Sequence, residues 1–265
     1  MDAAQRLMRP GALALGSSRE SAVGETGANP SAGGELTTTC LFKICGVTES
    51  ELRRLLAAVD LGRAAEVTIS SQYPDMSLRL TLSGADAAQL SDVRGRILAA
   101  LGSHVYAEGD KTLEEVIGPL LVDRGLTLAL AESCTGGYIS HRVTRVAGSS
   151  AYYYGGVVTY SNEAKMHFLG VRPATLETHG AVSRETALEM SRGLRARTGA
   201  GIAMSVTGIA GPGGGSMEKP VGTVWISIAL DRYHEARRFQ FGGERKSIIR
   251  GAAQQGLNWL RLCLL

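Results

Sequence analysis

The residues of this chain able to carry chemistry gather where its apolar runs stop. Ser133 stands in Glu132-Ser133-Cys134-Thr135-Gly136-Gly137, after the apolar run 126–130 and before a helical pattern over 138–146 with Ile139, Val143 and Val146 on one face. A serine at a strand exit and helix entrance meets backbone N–H groups with no helical partner, so those of Cys134, Thr135 and Gly136 suit an oxyanion or another anion. That is what a nucleophile needs. It is equally where a serine merely caps a helix and glycines merely turn the chain, and both readings stand at this point. Cys134 is a rival nucleophile, since a helix N-terminus is expected to lower its pKa.

Two further strand ends present Tyr160 and Thr207. Lys165 follows Tyr160 by five residues, on a short helix over 161–169 closed by Gly170. A lysine can replace histidine as the base for a serine only if burial or a nearby cation lowers its pKa, because an ammonium has no lone pair. Tyr160 would then relay the proton or hold the amine; otherwise Lys165 is a solvated residue pairing with Glu163. Thr207 opens a glycine-rich run to Ser216, where unobstructed N–H groups such as those of Gly208 and Gly211 suit a phosphate or sugar and the Thr207 hydroxyl adds one bond. A mobile lid is the alternative. Arg245 begins the last helix, where a cation opposes the helix dipole, so it faces solvent or serves an anionic ligand. Neither a P-loop nor a Gly-x-Gly-x-x-Gly pattern is present, which leaves NTPase and dinucleotide chemistry unsupported.

The elements that must position these groups follow from patterning. Residues 1–36 contain no aromatic residue and are rich in Gly, Ser and Ala, which predicts a disordered tail. Over 37–110, apolar runs at 40–44, 65–69 and 78–82 alternate with helical patterns at 49–61 and 87–101, which predicts a small α+β module. Over 111–265 the order becomes strand, loop, helix. A helix capped by Thr112 with Glu115 comes first, then strands at 126–130, 156–160, 202–206, 221–230 and 234–241, with a helix opened by Ser183 and a last one from about 244. The predicted class is α/β, a sandwich around a mixed sheet.

Composition sets the outer bounds. The 265 residues hold 28 Lys+Arg against 25 Asp+Glu, a formal charge of +3, with 44% hydrophobic and 20% charged residues. That is neither a disordered composition nor that of a non-specific nucleic-acid binder, so nucleic acid is not an expected partner. The four cysteines form no Cys-x-x-Cys pair and the five histidines show no ligand spacing, so no metal and no cofactor is expected. No run reaches the roughly 18 apolar residues of a membrane span, and no signal pattern opens the chain, so no membrane partner and a cytoplasmic setting are expected.

Six blocks carry a family resemblance: Ala131-Glu132-Ser133-Cys134-Thr135-Gly136-Gly137, Gly148-Ser149-Ser150, Val158-Thr159-Tyr160-Ser161-Asn162-Glu163-Ala164-Lys165, His179-Gly180-Ala181-Val182-Ser183, Thr207-Gly208-Ile209-Ala210-Gly211-Pro212 and Lys219-Pro220-Val221-Gly222-Thr223-Val224-Trp225. From about Thr112 onward the chain closely resembles the CinA C-terminal domain family, whose members are known as nicotinamide-nucleotide amidases. The resemblance implies hydrolysis of the carboxamide of nicotinamide mononucleotide to nicotinate mononucleotide and ammonia, without a metal. It places the serine nucleophile at Ser133, the tyrosine at Tyr160, the lysine at Lys165 and substrate contacts at Thr207 and Arg245, the latter at the phosphate, and it implies self-association. The segment 37–110 looks like the KH-type middle domain of longer CinA proteins, but it has no Gly-x-x-Gly clamp loop, so RNA binding is not expected. The large N-terminal domain of full-length CinA has no counterpart in this sequence, and its pyrophosphatase activity is expected to be absent. The rival expectation, from another functional class, is a non-catalytic nucleotide-binding protein associated with competence or damage.

Overall fold

The computed structural model describes residues 37–62, 65–84 and 86–265. The tail expected at 1–36 lies outside them. Internal contacts divide the chain into two compact units, the first built chiefly from the described residues between 37 and 111 and the second chiefly from 112–261.

The first unit runs β1 (Thr37–Ile44), α1 (Glu49–Ala57), β2 (Ala65–Gln72), β3 (Asp75–Ser83), α2 (Ala87–Leu101) and β4 (Val105–Glu108). Both helices start at capping boxes, Thr48 with Glu51 and Asp86 with Gln89, in which each side chain satisfies the other's free N–H. The sheet order is β2-β3-β1-β4, with β1 antiparallel to both neighbours. This is the split β-α-β arrangement, in which a pair of strands separates the two helices. Phe42, Ile44, Leu52, Leu78, Leu80 and Ile97 form its core. The fourth strand, β4, is too short to stand out as an apolar run.

The second unit begins with α3 (Leu113–Asp123), capped by Thr112 and Glu115. It continues with β5 (Leu128–Glu132), α4 (Tyr138–Thr144), β6 (Tyr153–Val158), α5 (Asn162–Leu169), α6 (Pro173–His179), α7 (Arg184–Thr198), β7 (Ile202–Gly208), β8 (Thr223–Ala229), β9 (His234–Gln240) and α8 (Arg245–Cys263). The sheet order is β6-β5-β7-β8-β9; β5 is parallel to β6 and β7, and the β7-β8-β9 pairs are antiparallel. The expected α/β sandwich around a mixed sheet is therefore present. Several details differ from expectation, among them the strands expected at 126–130 and 221–230, which run Leu128–Glu132 and Thr223–Ala229. The first parallel edge strand begins at Tyr153 rather than 156, so Tyr160 sits in the loop beyond it, and α6, opened by Pro173, was not anticipated.

The two faces of the sheet are sized for different helices. Ala129, Ala131 and Ala203 pack with Met190 and Leu194 of α7 and with Leu169 and Val171. On the same side Ser205 donates to the Ala187 carbonyl at 2.6 Å, and the Ser191 and Ser227 hydroxyls are 2.8 Å apart. Small strand residues let α7 lie close, and their buried hydroxyls find partners on it. The opposite face carries the larger Met204 and Ile226, against which Gly256 of α8 is seated. Because β5, β6 and β7 run parallel, their carboxyl ends share one edge, where open α/β sheets bind ligands.

Candidate active site

Ser133, Cys134, Tyr160, Lys165, Thr207 and Arg245 line one cavity of about 270 Å³ at that edge, together with Gly208 and Gly211. Each arrives by a different local device. Ser133 follows the last residue of β5, with its N–H donated to the Val206 carbonyl across the sheet. Gly136 and Gly137 take φ of +63° and +93°, left-handed values that side chains resist, and so turn the chain into α4 within three residues.

Glu132 anchors this turn. Its buried carboxylate accepts from Ser140 N at 2.8 Å and Ser140 Oγ at 2.6 Å through one oxygen, and from Gly137 N at 3.1 Å and Ile139 N at 3.0 Å through the other. It therefore supplies from a distance the cap that α4 lacks locally, and its negative charge meets the positive end of the helix. Sequence reasoning overlooked it. The available signal was a carboxylate closing an otherwise apolar strand just before a helix. With those donors tied to Glu132, the N–H groups of Cys134 and Thr135 make no backbone hydrogen bond among the described residues. That of Thr135 remains available to an oxyanion beside Ser133, and that of Cys134 lies against its own thiol, from which an oxyanion can draw it.

Lys165 comes from α5, whose Ser161 cap accepts from Ala164 N at 3.1 Å. Lys165 and Leu169 are the two buried residues of this helix, one turn apart, so the lysine occupies a core position. It is 1% exposed, which excludes the solvated lysine paired with Glu163. Its Nζ lies 3.0 Å from Ser133 Oγ, 2.8 Å from the Thr159 carbonyl and 3.4 Å from the Tyr160 carbonyl. No carboxylate is among its partners, and burial pushes its pKa down. A neutral amine has two N–H groups and one lone pair. As an ammonium Lys165 donates to all three oxygens; once deprotonated it keeps two N–H groups for the carbonyls and can turn its lone pair to the serine hydroxyl.

Three expectations about neighbouring groups change. Burial pushes the Cys134 thiol up to about 12, against the lowering expected from the helix N-terminus, so desolvation outweighs the dipole and the thiolate is scarce. Tyr160 holds the amine through its backbone oxygen, while its phenol, on a residue 61% exposed, accepts from Arg245 Nη2 at 2.8 Å. The hydroxyl of Thr207 donates to the Ala181 carbonyl at 2.8 Å, so towards a ligand it has only acceptor capacity left. Arg245 also donates to the Gly211 carbonyl at 2.8 Å; both partners are neutral, and among the described residues it has no carboxylate within 4.0 Å. Gly208 is required by close approach, since a Cβ there would fall 2.7 Å from Val224 Cγ2 and 2.8 Å from the Thr223 carbonyl.

No group of His, Cys, Asp and Glu side chains among the described residues is placed to hold a metal ion. No described helix is long and apolar enough to cross a membrane.

The model of the CinA C-terminal domain matches residues 110–264. A CinA-like protein of Geobacter sp. strain M21 is 43% identical over 225 residues, which cover 84% of this chain and 54% of that protein. The chain spans little more than half the length of the curated relatives it matches. A competence-damaged protein (CinA) superfamily structure from Klebsiella pneumoniae 700603 aligns at 37% identity and TM-score 0.56, covering 58% of this chain and 98% of that one. The competence/damage inducible protein CihA from Agrobacterium tumefaciens aligns at 41% identity and TM-score 0.53, covering 58% and 96% respectively.

Proposed function

The chain belongs to the CinA family through its C-terminal domain, and from that premise we propose that it hydrolyses the carboxamide of nicotinamide mononucleotide, releasing ammonia and nicotinate mononucleotide. The observation that carries the reading is the contact of 3.0 Å between a buried, carboxylate-free Lys165 amine and Ser133 Oγ. Ser133 Oγ forms a bond to the carboxamide carbon as its proton passes to the lone pair of Lys165 Nζ. The carbonyl oxygen becomes an oxyanion facing the N–H groups of Cys134 and Thr135, which make no backbone hydrogen bond among the described residues. Collapse breaks the C–N bond, and the Lys165 ammonium returns its proton to the departing nitrogen, which leaves as ammonia. Water then attacks the acyl group; Lys165 takes the water proton and restores it to Ser133 Oγ as the acid departs. Arg245, paired only with neutral oxygens, is the site's cation for the substrate phosphate. Tyr160 orients Arg245 by its phenol and Lys165 by its carbonyl rather than relaying the proton. A Cys134 nucleophile is disfavoured by its burial.

The test is ammonia release from nicotinamide mononucleotide by the purified chain in the presence of a chelator, beside Ser133→Ala. Release by the parent chain, abolished in a variant that still binds the mononucleotide, is the expected result. A folded chain that binds the nucleotide and releases no ammonia replaces this reading with that of a nucleotide-binding protein.

A further inference from the structure

Two of the sequence blocks that resemble the family, 179–183 and 219–225, are only partly accounted for by chemistry at Ser133. His179 and Ser183 from the first and Lys219 and Trp225 from the second line another cavity of the same unit, completed by Arg184 and Arg238 among others. At about 520 Å³ it is larger than the about 270 Å³ cavity at Ser133 and within the range of small-molecule sites.

Its chemistry is specific in three respects. Arg184, Lys219 and Arg238 have no carboxylate within 4.0 Å among the described residues, whereas His179 Nδ1 lies 3.8 Å from Glu185. Two of the cations are held in place by neutral oxygens: Lys219 Nζ donates to the His179 carbonyl at 2.8 Å and Arg238 Nη2 to the Glu218 carbonyl at 3.0 Å. Those bonds restrict the side chains without neutralising them, and each head group keeps further donors for an anion. Secondly, Trp225 is the register partner of Arg238 across β8 and β9, so indole and guanidinium share one face of the sheet. A flat apolar ring beside an immobilised cation suits a ligand that joins an aromatic base to a phosphate. Thirdly, the carboxylates of Glu185 and Glu218 are in the same lining, where they suit the hydroxyl donors of a ribose.

We propose that this second cavity is a nucleotide site, with the phosphates on Arg184, Lys219 and Arg238, the ribose at Glu185 or Glu218 and the base against Trp225. It is distinct from the Ser133 cavity, although Val182 lines both.

The experiment titrates ADP into the full chain and follows tryptophan fluorescence and calorimetric heat. Trp259, the other tryptophan, is buried in α8 and serves as internal reference. Saturable binding with quenching is expected, weakened about ten- to a hundred-fold by Arg238→Ala and by Lys219→Ala and unchanged in Ser133→Ala. Trp225→Phe removes the quench while calorimetry still detects ADP. Circular dichroism establishes that each variant is folded. Absence of saturable binding at millimolar ADP overturns the proposal. So does binding that survives Arg238→Ala and Lys219→Ala but is lost in Arg245→Ala, because ADP then occupies the Ser133 cavity. Tripolyphosphate binding as tightly as ADP, with Trp225→Ala leaving ADP affinity unchanged, overturns the nucleotide assignment.

Discussion

Replacing Glu132 separates the groups that perform chemistry from the one that holds them. The carboxylate accepts four hydrogen bonds, two at each oxygen, from the first turns of α4. Hydrogen bonds to a charged group contribute about 1.5–3 kcal/mol each, but four bonds to one side chain do not add, and water reaches part of the helix end on removal. Glu132→Ala should therefore cost about 3–5 kcal/mol, leaving three backbone donors at the α4 N-terminus without their acceptor. Glu132→Gln should cost less, about 1–3 kcal/mol. The amide can keep its oxygen towards Gly137 and Ile139, whose donors are both backbone, and turn its NH₂ towards Ser140, whose hydroxyl can rotate to accept it. Only the bond from Ser140 N is then lost. Urea unfolding with unchanged slope reads both costs, and turnover of nicotinamide mononucleotide reads the effect on the Ser133 turn. kcat should fall at least about a hundred-fold in Glu132→Ala, the loss expected when an oxyanion donor moves, and recover partly in Glu132→Gln. The reasoning is wrong if Glu132→Ala lies within about 1 kcal/mol of the parent and keeps its kcat, or if Gln proves as damaging as Ala.

The remaining expectations concern other groups at the same sheet edge. Since burial lowers the Lys165 pKa, kcat/KM should rise with unit slope as pH increases and level off below the ordinary lysine value of about 10.4; a profile that still climbs at that value, or that falls as the amine deprotonates, contradicts a free-amine base with a lowered pKa. Between that lowered value and the ordinary value of about 10.4 the unfolded chain binds a proton that the folded chain has released, so stability should rise with pH there, and Lys165→Met should remove one proton from that slope in denaturation followed across pH. Cys134, with its thiol raised to about 12, should resist iodoacetamide in the native protein at pH 7.5; stoichiometric labelling that nicotinamide mononucleotide prevents would restore the thiol as a nucleophile. Gly208→Ala, whose new Cβ would meet Val224 and the Thr223 carbonyl below 3.0 Å, should destabilise the second unit by about 1–3 kcal/mol, read as a lower urea midpoint.

What could be read in the chain before folding was whatever nearby residues decide. Thr112 with Glu115, Ser161 and Ser183 announce helix starts, and Gly170 a helix end, because caps and left-handed glycines act within one turn. Apolar runs marked β5 and β7, and alternation of strands with helices implied the α/β class. Ser133, Lys165 and Arg245 were legible as residue types at strand and helix ends. Their states were not. Lys165 is a base candidate because distant strands and α7 exclude water from α5, and the same burial makes Cys134 a poor thiolate. The phenol of Tyr160 is claimed by Arg245, 85 residues later, and Glu132 reaches over the turn to residues that no cap rule assigns to it. Solvation and hydrogen-bond choice depend on which segments pair across the sheet. Those pairings are non-local, so sequence determined the parts and their local geometry, while tertiary packing decided protonation, partners and the shape of both cavities.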